Sequence, residues 1–272
     1  MEYLDVYGTR VPRVGFGTWE IQGDECTESV RDALEIGYRL VDTARMYENE
    51  AAVGAGLRAS GVNRDEVFLA SKIPPSKLRA SDVRAETEAS LRELEVDYLD
   101  LMLIHWPSEE VPLRETLGEL AQLSEERKIL RIGVSNFPLR HLREARSIVS
   151  IFCDQVEFHP FLGQERLLAL ARETGTLVMA YSPLGSGELG DWSVLERMGE
   201  KYHKTARQVA LRYLLSHERV AVIPRSTSHD HRVENLDVFD FDLDAEDIAE
   251  IDDLPKDQRQ IDPKWSPDWE AE

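Results

Sequence analysis

The chain has 272 residues, 42% of them hydrophobic, which is enough for a sizeable core, and 52 acidic against 32 basic residues give a formal charge of −20. So acidic a surface repels phosphate backbones and argues against nucleic-acid binding, while no apolar run approaches the roughly 20 residues that a membrane span requires. Met1-Glu2-Tyr3-Leu4-Asp5 is not a basic region leading into an apolar one, so a cytoplasmic protein is expected.

In chain order, Glu2 to Val11, with Tyr7-Gly8-Thr9 at its middle, predicts a small β-hairpin. Eight strands are then expected: Val14 to Gly17, Arg39 to Thr43, Val67 to Lys72, Tyr98 to His105, Arg131 to Asn136, Ile151 to Phe158, Thr176 to Tyr181 and Val220 to Pro224. Several are apolar nearly throughout, which suits parallel strands covered on both faces. Between them, Ser81 to Glu95, Leu113 to Lys128 and Gln164 to Thr174 have the length and period of crossover helices, with Ser81-Asp82 as a helix start. Asp244 to Leu254 reads as an added helix and Pro255 to Glu272 as an irregular tail.

With no low-complexity linker between them, these elements predict an α/β fold. It is a (β/α)8 TIM barrel formed by a single domain, residues 1–272, with an N-terminal β-hairpin and a C-terminal helix and tail. An open doubly wound sheet would place a third glycine after Gly15-Phe16-Gly17 and an acidic ribose ligand roughly 20 residues on, and neither is present. Cys26 and Cys153 lie far apart, as expected of buried free thiols. Only 7 of the 32 basic residues are lysine. With the net charge, this points to adaptation to concentrated salt, where the Debye length falls to about 3 Å.

Asp42, Lys72, His105, Asn136, Gln155, Tyr181 and Arg225 all fall at or near the C-terminal ends of successive strands, the face on which barrel enzymes build their sites. Singly, Asp42 reads as a helix cap, Lys72 as its salt-bridge partner, and His105 as a satisfied core histidine. Together with Tyr47 they read as a constellation. An ammonium held by a carboxylate beside a phenol is expected to lower the phenol's pKa toward neutrality and make it a proton donor, with a histidine orienting a carbonyl oxygen toward it. No clustered histidines accompany His159, so no metal site is expected.

The chain resembles the aldo-keto reductases, and among them the compact prokaryotic members similar to diketogluconate reductases. The motifs are Gly15-Phe16-Gly17-Thr18-Trp19, Asp42-Thr43-Ala44 with Tyr47 and Asn49-Glu50, Ser71-Lys72 and Leu103-Ile104-His105-Trp106-Pro107. They continue with Gly133-Val134-Ser135-Asn136-Phe137, Gln155-Val156-Glu157-Phe158-His159-Pro160, Tyr181-Ser182-Pro183-Leu184 and Ile223-Pro224-Arg225-Ser226 with Glu234-Asn235.

This resemblance implies an NAD(P)H-dependent reductase in which Tyr47 donates the proton, Asp42 and Lys72 tune it, and His105 orients the carbonyl. It implies that Ser135, Asn136 and Gln155 hold the nicotinamide carboxamide and that Tyr181 stacks on the ring. Ser182 and Leu184 would meet the pyrophosphate, and Arg225, Ser226, Glu234 and Asn235 would surround the adenosine. Arg225 stands where the family has Lys and keeps the charge, whereas His231 replaces an Arg and Arg232 is the neighbour left to reach a ribose phosphate. NADPH is favoured, with NADH as a second cofactor.

Trp19, Tyr47 and Trp106 would form the mouth of the substrate pocket, with Trp265 or Trp269 folding over it. Small aldehydes, dicarbonyls and keto-sugar acids are the expected partners of a monomeric enzyme. Two rival readings are a barrel that binds cofactor as a regulator and a Schiff-base aldolase using Lys72.

Overall fold

In the computed structural model, which describes residues 2–185 and 190–270, each of the eight apolar runs forms a strand. The last two tail residues, Ala271 and Glu272, lie outside the described residues. The strands are β3 (Phe16–Gly17), β4 (Leu40–Asp42), β5 (Phe68–Ile73), β6 (Leu101–Ile104), β7 (Ile132–Ser135), β8 (Cys153–Glu157), β9 (Leu177–Tyr181) and β10 (Val220–Val222). All pair in parallel in sequence order. A parallel bridge between Val14 and Val222, with Gly15 N donating to Val222 O at 2.8 Å, joins the first strand to the last and closes the barrel. Most strands are shorter than the apolar runs that encode them. Tyr98 to His105 narrows to β6, because Leu99 makes only an isolated bridge to Ile129.

Residue parity sorts the side chains. Leu40, Phe68, Ala70, Leu101, Leu103, Cys153, Leu177, Met179, Ala221 and Ile223 form one buried cluster, the barrel interior. The alternate residues, Val41, Leu69, Met102, Ile104, Val134, Val178 and Val222, belong to the larger cluster shared with the helices. Continuing the inner phase toward the C-terminal ends brings up Asp42, Lys72, His105, Gln155, Glu157 and Tyr181.

The hairpin forms as expected, from β1 (Tyr3–Val6) and β2 (Thr9–Pro12). Its two turn residues, Tyr7 and Gly8, have φ of 49° and 79°, the twist-matched geometry of a tight hairpin. Val6 and Val11 pack into the interior cluster and plug the barrel floor.

Around the barrel run α1 (Gly23–Glu35), α2 (Glu50–Ala59), α3 (Ala80–Leu94), α4 (Leu113–Glu125), α5 (Leu139–Ile148), α6 (Glu165–Thr174), α7 (Ser193–Tyr202), α8 (Ala206–Ser216), α9 (His229–Leu236) and α10 (Ala245–Asp252). Ser81 does not start α3. The helix begins at Ala80, whose N–H is accepted by Glu115 of α4 at 3.0 Å, so a neighbouring helix supplies the cap. Asp244 does cap α10, accepting from Glu246 and Asp247 N–H. Two helices, α7 and α8, fill the crossover from β9 to β10.

Candidate active site

Three strand ends and one short turn bring the ionisable residues together. Asp42 ends β4, Lys72 lies one residue from the end of β5, His105 follows β6, and Tyr47 closes a 3-10 turn, Arg45–Tyr47. That turn is pinned from below. Glu50, 1% exposed, accepts from Ser71 Oγ and from Arg45 Nη1, both at 2.5 Å, and Arg45 also pairs with Glu86 and Glu93. Asn49 ties the same turn to the loop after β3 by donating to Thr18 O and Ile21 O.

Lys72 is fully buried, and its three N–H bonds have three acceptors: Asp42 Oδ2 at 2.6 Å, Thr43 O at 2.8 Å and Tyr47 Oη at 3.2 Å. An ammonium can only donate, so Tyr47 Oη is the acceptor in that contact and its own hydrogen is free to point into the cavity. Asp42 does not cap a helix. Its second oxygen accepts from Gln155 Nε2 at 2.7 Å. Burial works against the charge on Lys72, but Asp42 and Tyr47 together outweigh it and raise the lysine's pKa. A charged amine with every N–H engaged has no lone pair for a Schiff base.

One expectation is corrected. Tyr47 is not lowered toward neutrality: burial raises its pKa, and Asp42's carboxylate reinforces burial against the opposing pull of Lys72. Tyr47 is therefore a phenol at neutral pH. The His105 ring packs edge-on against Tyr47 at 5.7 Å between centroids. Burial, aided by the Lys72 charge, depresses its pKa well below 6.5, so the imidazole is neutral.

These groups open on a cavity of about 600 Å³, within the range of small-molecule sites. Asp42, Tyr47 and His105 line its floor. Trp19, Met46, Trp106 and Trp265 line one side, and Ser135, Asn136, Gln155, Tyr181, Ser182, Leu184 and Arg225 another. Asn136 donates to His105 O at 3.0 Å and to Ser135 Oγ at 3.1 Å and accepts from Tyr181 Oη at 2.8 Å, and Ser135 donates to Gln155 O at 2.8 Å, so Ser135, Asn136, Gln155 and Tyr181 form one network. Gly17 lets strands β3 and β10 close in, since a Cβ there would lie 2.9 Å from Ile223 O.

Three of the residues expected near a nucleotide stand outside this cavity. Ser226 bonds within its own turn to Ser228, Glu234 pairs with Thr205, and Asn235 is buried against Tyr38. Arg232 is corrected outright. It is 5% exposed, held by Asp32 at 2.7 Å and by Ser226 O at 3.0 Å, and is not available to a phosphate. His231 instead receives a contact from Arg207 Nη1 at 3.2 Å.

Sequence reasoning missed the tail wall: Gln260, Ile261, Asp262 and Pro263 line the cavity beside Trp265. Trp265 and Trp269 both pack edge-on to Trp106, at 5.0 and 5.8 Å, and Trp269 also bonds Asp262 and lies under the Arg259 guanidinium.

The sequence profile of the Aldo/keto reductase family matches residues 13–256, which span every strand of the barrel proper. The chain belongs to the aldo/keto reductase family. It is thus an oxidoreductase acting on carbonyl groups, in a family that generally uses NAD(P)H. This aldo/keto reductase is 42% identical to the glyoxal reductase of Bacillus subtilis (strain 168) over 255 residues, covering 93% of this chain and 92% of that one. It is 35% identical to the methylglyoxal reductase of Escherichia coli O157:H7, covering 96% and 99%. A crystal structure provisionally described as a 2,5-diketo-D-gluconic acid reductase B superposes with a TM-score of 0.96 at 35% identity, over 100% of this chain and 98% of that one.

Proposed function

We propose that this reductase converts small neutral dicarbonyls and aldehydes to alcohols, with Tyr47 as proton donor and NADPH as the preferred nucleotide. The observation that carries the reading is the triple coordination of Lys72 by Asp42, Thr43 and Tyr47. It fixes the phenol oxygen and leaves its hydrogen to the cavity. His105, neutral and in contact with the Tyr47 ring, orients the carbonyl oxygen toward that hydrogen, so the oxygen is protonated as negative charge develops on it.

The polar wall suits a nicotinamide nucleotide. Ser135, Asn136 and Gln155 offer the hydroxyl and amide groups that a carboxamide pairs with, and Tyr181 offers an aromatic face. When bound, the nucleotide supplies a hydride to the carbonyl carbon. Ser182 and Leu184 would adjoin its pyrophosphate, and Arg225 would meet its adenosine side, with Ser226, Glu234 and Asn235 supporting that end from outside the cavity. The Arg225 guanidinium, 43% exposed and only loosely paired with Glu20 at 3.6 Å, is free to grip a 2′-phosphate in two-pronged fashion. Arg207 adds positive charge beside His231. Both favour NADPH over NADH.

Charge narrows the substrate. Among the described residues that line the cavity, Arg225 is the one cation, and it lies on the nucleotide side. The substrate side presents Trp19, Met46, Trp106, Ile261 and Trp265, with Asp262, whose carboxylate also accepts from Ser266 and Trp269, as its one acidic residue beyond Asp42 among the described residues. That lining favours uncharged carbonyl compounds over keto-sugar acids. The names of the glyoxal and methylglyoxal reductases agree with it. The test is nucleotide oxidation with NADPH and with NADH, against glyoxal, methylglyoxal and a matched 2-oxo acid. The reading expects the neutral compounds to be turned over at higher kcat/KM than the acid. A preference for the acid, or nucleotide binding without turnover, contradicts it; the latter is the regulator's signature.

A further inference from the structure

The run Gln155-Val156-Glu157-Phe158-His159-Pro160 gives Gln155 to the cavity and leaves Glu157 and His159 without a part in the chemistry. Glu157 ends β8 in the inner phase, is 0% exposed, and does not line the cavity. A carboxylate placed there needs donors. Oε1 accepts from Gln260 N at 2.8 Å and Oε2 from Ile261 N at 2.9 Å, two consecutive amides of the C-terminal tail, more than a hundred residues away. His159 Nδ1 accepts from Phe161 N–H, which places the ring proton on Nε2, where it donates to Oε1 at 3.0 Å.

Among the described residues, the tail has no helix or extended strand of its own beyond Asp252. Before Gln260 it is tied by Gln258 N to Phe161 O and by Lys256 Nζ to Pro160 O. After Ile261, Asp262 bonds Ser266 and Trp269 within the tail, Trp265 and Trp269 both pack on Trp106, and Glu270 pairs loosely with Arg166 at 4.0 Å. Glu157 therefore grips the tail at the point where it turns into cavity wall, because the two residues it holds, together with Asp262, Pro263 and Trp265, are that wall.

We propose that Glu157 is a positioning residue: it fixes the tail as the outer wall of the substrate cavity and so sets how tightly the carbonyl substrate is held, without touching it. The effect on substrate rests on the carbonyl-reductase reading; the effect on the tail does not.

Two variants test it. Glu157→Gln keeps the size but turns one acceptor oxygen into a donor that opposes a tail N–H, and Glu157→Asp keeps the charge but withdraws it by one methylene. In either, KM for methylglyoxal is expected to rise about tenfold, the scale of one charge-assisted hydrogen bond, with kcat changed less than about threefold and NADPH affinity within about twofold. Tryptic cleavage after Lys264, followed by intact mass, is expected to accelerate by a similar factor. Cleavage unchanged from the parent chain in both variants overturns the proposal, as does a lowered melting temperature with KM and cleavage unchanged. If the parent chain reduces no carbonyl yet cleavage after Lys264 still accelerates in the variants, the anchor stands and the functional reading falls. Should Glu157→Gln not fold, Glu157→Asp decides alone.

Discussion

Lys72 has three N–H bonds and Asp42, Thr43 and Tyr47 take all of them, which is why removing either charge of the pair would leave the other buried and unmatched, a loss of about 3–5 kcal/mol. The pairing of Asp42 with Lys72 is legible in the sequence, because both are ionisable groups at the ends of core strands. The direction of the Tyr47 shift is not, since it depends on how deeply the phenol is buried and on which of two opposite charges prevails.

Asp154 was equally hidden. It sits in β8 in the outer phase, 0% exposed, and neither oxygen forms a well-shaped hydrogen bond among the described residues. Burial raises its pKa well above 3.8, and the nearby Phe137 N–H offsets this only in part. Above about pH 4 the unfolded chain releases a proton that the native chain keeps. Stability therefore falls with rising pH, by about 1.4 kcal/mol per unit, until the native group ionises. Asp154→Asn removes that dependence, so its gain in melting temperature over the parent should widen from pH 5 to pH 8. A gap independent of pH would contradict the assignment.

At the scale of elements, the strands were readable because a barrel strand is covered on both faces and so is apolar throughout. The start of α3 was readable to within one residue but its cap was not, because the cap is Glu115 of the next helix. The tail wall was not readable either, since backbone amides of Gln260 and Ile261 hold it and amides leave no trace in residue type. Helix packing supplies a prediction of its own. α2 lies against both neighbours through glycine: a Cβ at Gly54 would lie 2.3 Å from Leu94 O, and one at Gly56 2.6 Å from Thr27 O. Both obstacles are backbone and cannot swing aside. Gly54→Ala should therefore cost about 1–3 kcal/mol in urea unfolding, in spite of alanine's better helix propensity. A neutral or stabilising result would mean that α2 and α3 can separate without loss.

For the molecule as a whole, one parity rule applied to eight strands gives the barrel interior and most of the strand-borne rim groups, the N-terminal hairpin adds the floor plug, a short turn adds Tyr47, and the chain belongs to a family of carbonyl oxidoreductases. Its charge of −20 is a property of the surface rather than of the site. Screening at molar salt weakens the mutual repulsion of exposed carboxylates, so the melting temperature should rise by several degrees from dilute buffer to 2 M KCl, a concentration at which the Debye length is near or below about 3 Å. An unchanged melt would reject salt adaptation.

The central claim, a neutral phenol on Tyr47 delivering the proton, is tested by NADPH oxidation at about 340 nm with methylglyoxal in high salt, comparing the parent chain with Tyr47→Phe. The account predicts a fall in kcat/KM of about 10²–10⁴-fold with nucleotide affinity retained. It also predicts that parent activity shows no ionisation of His105 or Tyr47 between pH 7 and 9, since the imidazole is already neutral and the phenol still protonated. Equal turnover in the variant would contradict it.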